Sequence, residues 1–402
     1  MTKDISLSAI IAGLIAVIIS YAGPLLIVFQ AANAAHLDSA MLSSWIWAIS
    51  IGSGVTGIIL SLRYRTPVIT AWSTPGAALL VASLPGVPYP EAVGAFMFSA
   101  LVITLLGWSG LFEKIMRHIP KPIAAAMLAG ILFRFGIEVF TSLQHQSALV
   151  TAMLIAYLIF KRITPRYAIP GVLLIGVGLA AAGGQIAFDS VHASLALPVL
   201  VWPQFSASTL IGVGIPLCIV TMSGQYVPGL AVLHSAGYPV PAKPLVTLTG
   251  LGSILLAPFG SHGFNLAAIT AAICTGREAH EDAGKRYVAG VACGVFYIVV
   301  GAFGATLAAL FSALPKELIA TIAGLALFGA IISGLTTAMA DDRQRESALI
   351  TFLVTASNVT LLGLGAAFWG LVFGILANVV LNSQFGSRLL DNLRAGAAKG
   401  RT

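Results

Sequence analysis

Charge is what this sequence has least of. Only 9% of its 402 residues are Asp, Glu, Lys or Arg, whereas a soluble globular chain carries about 25%. So few charges cannot cover a water-facing surface, which excludes a soluble enzyme or a cytoplasmic binding module. Cysteine is scarce as well. Cys218, Cys274 and Cys293 all lie in or at the edge of apolar segments and none sits at metal-ligand spacing, so no disulfide framework and no metal site are expected. The apolar segments contain no catalytic dyad and no phosphate-binding loop, and no cofactor is expected. The formal net charge of +7 is not a nucleic-acid signature, because the basic residues fall in short loops between apolar runs and not on one face.

What is present is hydrophobic: 58% of residues, with a mean hydropathy of +0.97. Runs of about 20 apolar residues recur from Ile5 to Asn382, each long enough to cross a hydrocarbon layer. The fold class expected is therefore an all-α polytopic membrane protein whose partner is the lipid bilayer. Fourteen spans are read, at 7–32, 41–62, 67–83, 91–111, 121–141, 146–161 and 168–186, then 208–233, 244–258, 262–276, 287–311, 317–339, 346–362 and 365–382. The first run, to about Gln30, is longer than the core of a signal peptide and is read as a span. With a cytoplasmic N-terminus, every Lys and Arg except Lys316 and Arg134 falls on the inside, which predicts that both termini are cytoplasmic in a bacterial inner membrane.

The two halves repeat. Pro120-Lys121 before span 5 matches Pro315-Lys316 before span 12. Gln146-Ser147-Ala148-Leu149-Val150-Thr151 matches Glu346-Ser347-Ala348-Leu349-Ile350-Thr351. Seven spans per half is odd, so the second half enters from the opposite side, as in inverted-repeat transporters. The repeats are expected at 1–203 and 204–402.

Spans 3 and 10 are short and interrupted. Span 3 reads Pro67-Val68-Ile69-Thr70-Ala71-Trp72-Ser73-Thr74-Pro75-Gly76. Its β-branched start is extended in character; Ser73 or Thr74 then offers an N-cap, and Pro75 suits the first helical position. Span 10 reads Gly260-Ser261-His262-Gly263-Phe264-Asn265-Leu266-Ala267-Ala268. Its glycines loosen the backbone before a helix expected to begin near Asn265. Irregular backbone at membrane depth is tolerated where it lines a cavity or is buried in protein, and two half-helix N-termini facing one cavity would suit a small carboxylate. The plainer alternative is a pair of Pro- and Gly-kinked helices.

Span 8 adds Gln225 and Tyr226 as hydrogen-bond partners, with Tyr226 or Phe264 available to stack on a ring; ordinary polar contacts between helices are the alternative. His262 is either a satisfied core histidine or a proton-linked group. Arg134 and Glu138 form an i, i+4 pair on span 5, structural or functional, and Glu138 is the carboxylate lying well within a span.

At Thr70-Ala71-Trp72-Ser73-Thr74-Pro75-Gly76-Ala77-Ala78 and at Ser261-His262-Gly263-Phe264-Asn265-Leu266-Ala267-Ala268 through Gly276, the sequence resembles the benzoate/proton symporter family, often called BenE, and the likeness extends over nearly the whole chain. The resemblance implies proton-coupled uptake of benzoate or a similar aromatic carboxylate. It also implies the seven-plus-seven fold shared with uracil permease and the sulfate permeases. In that fold spans 1–4 and 8–11 form a core that moves, as an elevator or by rocking, against a gate of spans 5–7 and 12–14. The candidate substrate-binding residues are Trp72, Ser73, Thr74, Gly76, Gln225, Tyr226, Ser261, His262, Gly263, Phe264 and Asn265. The proton-coupling candidates are His262, Glu138 and Arg134. Nucleobase symporters of this fold use glutamates on spans 8 and 10; here those spans are uncharged, which suits an anionic substrate. A permease for another small anion or a nucleobase, or a passive anion channel, is the alternative function, and a homodimer is left open.

Overall fold

The computed structural model describes residues 4–112, 114, 120–186, 192–362 and 364–382. Each of the fourteen expected spans has a helical counterpart there. Eight helical segments, at spans 1, 2, 4, 5, 8, 9, 11 and 12, are individually long and apolar enough to cross a membrane. Span 2, Ser39–Tyr64, shows why such a helix starts and stops where it does. The Asp38 carboxylate accepts the Met41 N–H at 2.8 Å, and Arg65 ends the helix in the left-handed conformation at φ 49°. Large apolar side chains such as Leu105, Leu158, Leu174, Leu255 and Val380 point outward and are exposed. In a chain with this little surface charge, lipid covers them.

Two spans are interrupted by sequence that cannot continue a regular helix. Span 1 breaks between Leu7–Ala22 and Pro24–Ala34, because Gly23 leaves the helical region and Pro24 has no N–H to donate. Span 8, its repeat partner, runs from Ala207 to Ser235 with two π-helical turns, Leu210–Gly214 and Met222–Tyr226. Such turns leave backbone groups displaced from the regular ladder and are frequent at functional sites.

The fold is an inverted repeat, and the helix partners show it. Span 2 packs on span 11 as span 9 packs on span 4, and span 6 packs on span 7 as span 13 packs on span 14. Small residues allow these close approaches. A Cβ on Gly54 would lie 2.6 Å from the Gly294 carbonyl, and one on Gly294 would lie 2.6 Å from that of Gly54. Spans 5 and 12 make a third tight seam, where Gly324 faces the Phe135 carbonyl.

An extended segment, residues 192–206, joins the halves across one face. Its backbone N–H groups fasten it at five places. Ser194 N–H donates to Thr306 Oγ1, Ala196 N–H to the Ala302 carbonyl, Val201 N–H to that of Pro258 and Gln204 N–H to that of Pro90, while Val199 N–H donates to Ser44 Oγ, all at 2.8–2.9 Å.

Candidate functional site

The short spans meet. Thr70–Trp72 (β1) and Phe264–Leu266 (β2) pair as a two-stranded antiparallel sheet with Thr70 opposite Leu266, Ala71 opposite Asn265 and Trp72 opposite Phe264. Ala267 N–H donates to the Ile69 carbonyl at 2.9 Å and Ser73 N–H to the Gly263 carbonyl at 3.2 Å. Antiparallel pairing alternates bonded and unbonded pairs, so Ala71 and Asn265 form a mutually bonded pair and Phe264 does not bond across the sheet. Span 9 serves Phe264 instead: its N–H donates to Ser253 Oγ at 3.0 Å. Span 2 serves β1 in the matching way, with Thr56 Oγ1 at 3.1 Å from Thr70 Oγ1 and the Ser61 hydroxyl donating to the Val68 carbonyl.

Half-helices follow both strands, with two corrections to the sequence reading. Span 3 continues as Thr74–Ser83, with Ser73 as the cap accepting the Gly76 N–H at 3.0 Å; Thr74, and not Pro75, is the first helical residue. Span 10 continues as Ile269–Thr275, four residues later than expected. Gly263, Phe264 and Asn265 therefore do not head a helix. The ladder bond from Ala267 to Ile69 holds that stretch extended past two alanines that would otherwise favour helix. Nor is the first half-helix end rich in open amides. Pro75 has none, Gly76 is capped, and Ala77 N–H donates to the Ser73 carbonyl, which leaves Thr74 N–H unpaired among the described residues.

His262 is pinned at both nitrogens. Trp45 Nε1, which can only donate, lies 2.9 Å from His262 Nδ1, so Nδ1 is the acceptor and the proton sits on Nε2, which donates to the Ser73 carbonyl at 3.0 Å. Gly260 and Gly263 set up this placement at φ 101° and 115°, where only glycine is comfortable. A side chain at Gly260 would also meet Tyr89 and Trp45.

A narrow hollow lies beside β2, between spans 4, 8 and 9, with about 230 Å³ of empty space when counted out to its open mouth. Thr221, Tyr226, His262, Gly263, Phe264 and Asn265 line it, with Ser99, Ala100 and Ile103 from span 4 and Gly250 and Ser253 from span 9. No carboxylate among the described residues does. Asn265 is 1% exposed, yet neither its side-chain oxygen nor its nitrogen has a hydrogen-bond partner among the described residues. A buried amide with both ends unmet costs about 1–3 kcal/mol or more. Tyr226 is engaged: its hydroxyl lies 2.8 Å from Thr249 Oγ1, which donates to the Leu245 carbonyl.

The structure brings Tyr226, His262, Gly263, Phe264 and Asn265 together around this hollow and sets the other candidates apart. Trp72 packs edge-on against Tyr21 and Tyr297, with ring centroids 5.3 and 5.7 Å away, and does not line it. Ser73 is buried behind the hollow, its Oγ 3.0 Å from Thr221 Oγ1, and Gly76 lies against it. Ser261 Oγ accepts the Gly263 N–H at 3.4 Å. Thr74 and Gln225 are half-buried on the half-helix and the π turn. Arg134 and Glu138 sit on span 5, outside the hollow, with no salt bridge to each other. Ser99 and Ser253 were not singled out from sequence. For Ser253 a signal exists: Ser53 occupies the corresponding place on span 2, where its carbonyl accepts from Thr70.

The sequence pattern that defines the family described as "Benzoate membrane transport protein" matches residues 3–380. The chain belongs to that family. It is 48% identical to the benzoate membrane transport protein of Acinetobacter baylyi over 381 residues, covering 95% of this chain and 97% of the relative. It is 44% identical to the inner membrane protein YdcO of Escherichia coli, covering 93% and 95%. Among solved structures it is similar to the transmembrane domain of a cyanobacterial bicarbonate transporter, BicA, with a TM-score of 0.59 at 14% identity over 92% of this chain and 97% of that one, a likeness of fold. The chain is thus a multi-pass membrane transporter of the benzoate membrane transport family, and not an enzyme.

Proposed function

We propose that the chain takes up benzoate or a similar aromatic carboxylate together with a proton across a bacterial inner membrane, with both termini in the cytoplasm. The observation that carries the reading is the unpaired Asn265 amide in a hollow free of carboxylates. An anion entering there would gain the Asn265 Nδ2 donor and meet the Thr221 and Ser99 hydroxyls, while Ala100, Ile103 and the edge of Phe264 would take the ring. A glutamate in the wall would repel it. The names of the relatives agree with this substrate class and membrane.

The ladder ties spans 3 and 10 into one body, which supports a core of spans 1–4 and 8–11 carrying the substrate past a gate of spans 5–7 and 12–14. His262 already satisfies both its nitrogens, so we assign the proton to Glu138, a half-buried carboxylate without a salt bridge among the described residues.

Purified protein in proteoliposomes with an inward proton gradient tests this. Labelled benzoate should accumulate, and Asn265→Ala should lower uptake at least tenfold. Normal uptake by that variant would remove Asn265 from the site. A competition panel in which a nucleobase or inorganic anion displaces benzoate more strongly would favour the alternative permease. Flux indifferent to the proton gradient would favour a channel.

A further inference from the structure

A second, larger hollow lies elsewhere, of about 430 Å³ counted to its open mouth. It sits where the far end of the span 3 half-helix (Leu79, Ser83) meets span 5 (Arg134) and the connection from span 13 to span 14 (Asn358, Thr360). Arg134 is the one ionisable side chain among its lining residues. No hydrogen bond or salt bridge to Arg134 exists among the described residues. Glu138, one turn on, feels its charge but makes no ion pair with it.

An arginine within a span is costly, and such residues are almost always paired or turned to a water-filled cavity. Arg134 is not paired and is turned to a cavity. The end of the span 3 half-helix beside it favours a cation, which helps explain why the charge is tolerated there. No half-helix carbonyl accepts from the guanidinium, so its planar fork of donors stays open, a geometry suited to a carboxylate. The connections at 84–88 and 357–365 lie on the face that the charge pattern places outside, away from the basic loops.

We propose that this hollow is an outer binding site for the carboxylate of an organic anion, held by Arg134 with Asn358 and Thr360 at its rim, distinct from the Asn265 hollow and occupied before it. The assignment of an organic anion as ligand rests on the transport reading above; the anion site itself does not. It captures the substrate at the seam between the span 3 half-helix and span 5.

The test uses Thr360→Cys in the full-length reconstituted protein, whose native cysteines Cys218, Cys274 and Cys293 are buried. A sulfonate-bearing thiosulfonate should outpace the matching ammonium reagent by roughly tenfold, the factor that about 1.4 kcal/mol of charge attraction supplies. Adding Arg134→Gln should erase the preference and Arg134→Lys should keep most of it, which separates charge from folding. Benzoate should slow the sulfonate reagent, whereas neutral benzamide should not. An unchanged preference in Arg134→Gln, or no protection by any of benzoate, acetate, bicarbonate and sulfate, overturns the site. Protection by an inorganic anion but not by benzoate upholds the site and instead sinks the aromatic-carboxylate reading.

Discussion

Trp45 Nε1 donates to His262 Nδ1 across 2.9 Å of buried protein. Because an indole N–H cannot accept, this one contact fixes the histidine tautomer and aims its other N–H at the Ser73 carbonyl. His262 thereby bolts span 2 to the start of the span 3 half-helix. Replacing it with alanine strands the buried Trp45 N–H, at about 1–3 kcal/mol, and takes one of two donors from the Ser73 carbonyl, which keeps Ala77 N–H. His262→Ala should melt several degrees lower in detergent, and Trp45→Phe should fall less, since it leaves the bond from Nε2 to Ser73 in place. Equal stability of His262→Ala and the parent chain would refute the bolt.

Asn265 should behave in the opposite way. Its amide is buried without partners, so Asn265→Ala removes a cost while losing the proposed ligand contact. Thermal stability should hold or rise by about 1 kcal/mol as uptake drops. Asn265→Asp should be worse for an anion than Asn265→Ala. A variant that loses stability and uptake together would indicate a structural amide.

The Phe264 ring lies against Gly52 of span 2 on one side and Gly252 of span 9 on the other; a Cβ on Gly252 would come within 2.8 Å of it. Gly52→Ala must push the ring or part the helices, and overpacking of this kind costs about 1–3 kcal/mol. Uptake should fall in parallel, because Phe264 belongs to β2. Pairing Gly52→Ala with Phe264→Leu should restore much of the stability, which melting curves of the two variants would show.

At the opposite end of the core, Asp4 accepts the Tyr287 hydroxyl at 2.8 Å and lies 3.5 Å from Arg65. The Tyr287 bond chiefly, with the positive charges of Arg65 and Lys285, holds the Asp4 carboxyl below its ordinary value against an opposing desolvation. A depressed carboxylate contributes stability that is complete above its unfolded value near about 3.9 and fades as pH falls through the lower folded one. Asp4→Asn should therefore melt slightly below the parent chain at pH 7, with the gap closing only below about pH 4. A gap independent of pH would assign the loss to packing.

The side assignment is open to direct test. Cysteines placed in the 84–88 connection should react with an impermeant reagent added outside intact cells. Those placed at 341–344 should react only after permeabilisation. The reverse pattern would invert the protein and move the Arg134 hollow to the cytoplasmic face.

The spans were legible in the sequence because lipid imposes a length and excludes charge, and both leave plain traces. The inverted repeat was legible from Pro120-Lys121 and Pro315-Lys316, which head spans 5 and 12 as expected. The strand pairing was half legible. Val68-Ile69-Thr70 announces extended backbone, but Phe264-Asn265-Leu266 does not. What extends it is a partner almost two hundred residues away, together with Ser253 on its free edge. Ala267 and Ala268 misplaced the second half-helix for the same reason, since local preference yielded to a ladder bond. Ser99 and Thr221 were hard to weigh because single hydroxyls inside apolar helices commonly bond back to their own turn, as Ser223 does to the Ile219 carbonyl.

The segment at 192–206 has a bearing on how the protein can change shape. Stitched to Ser44, Pro90, Pro258, Ala302 and Thr306, it belongs mechanically to spans 2, 4, 9 and 11, although it arrives from span 7. A tether anchored at so many points cannot also be the slack. If the proposed core travels past the proposed gate, the Gly183-Gly184 pair, where span 7 ends and Gly184 turns at φ 65°, is a place that could absorb it. On that proposal, stiffening the pair would slow transport without touching any residue of the Asn265 hollow.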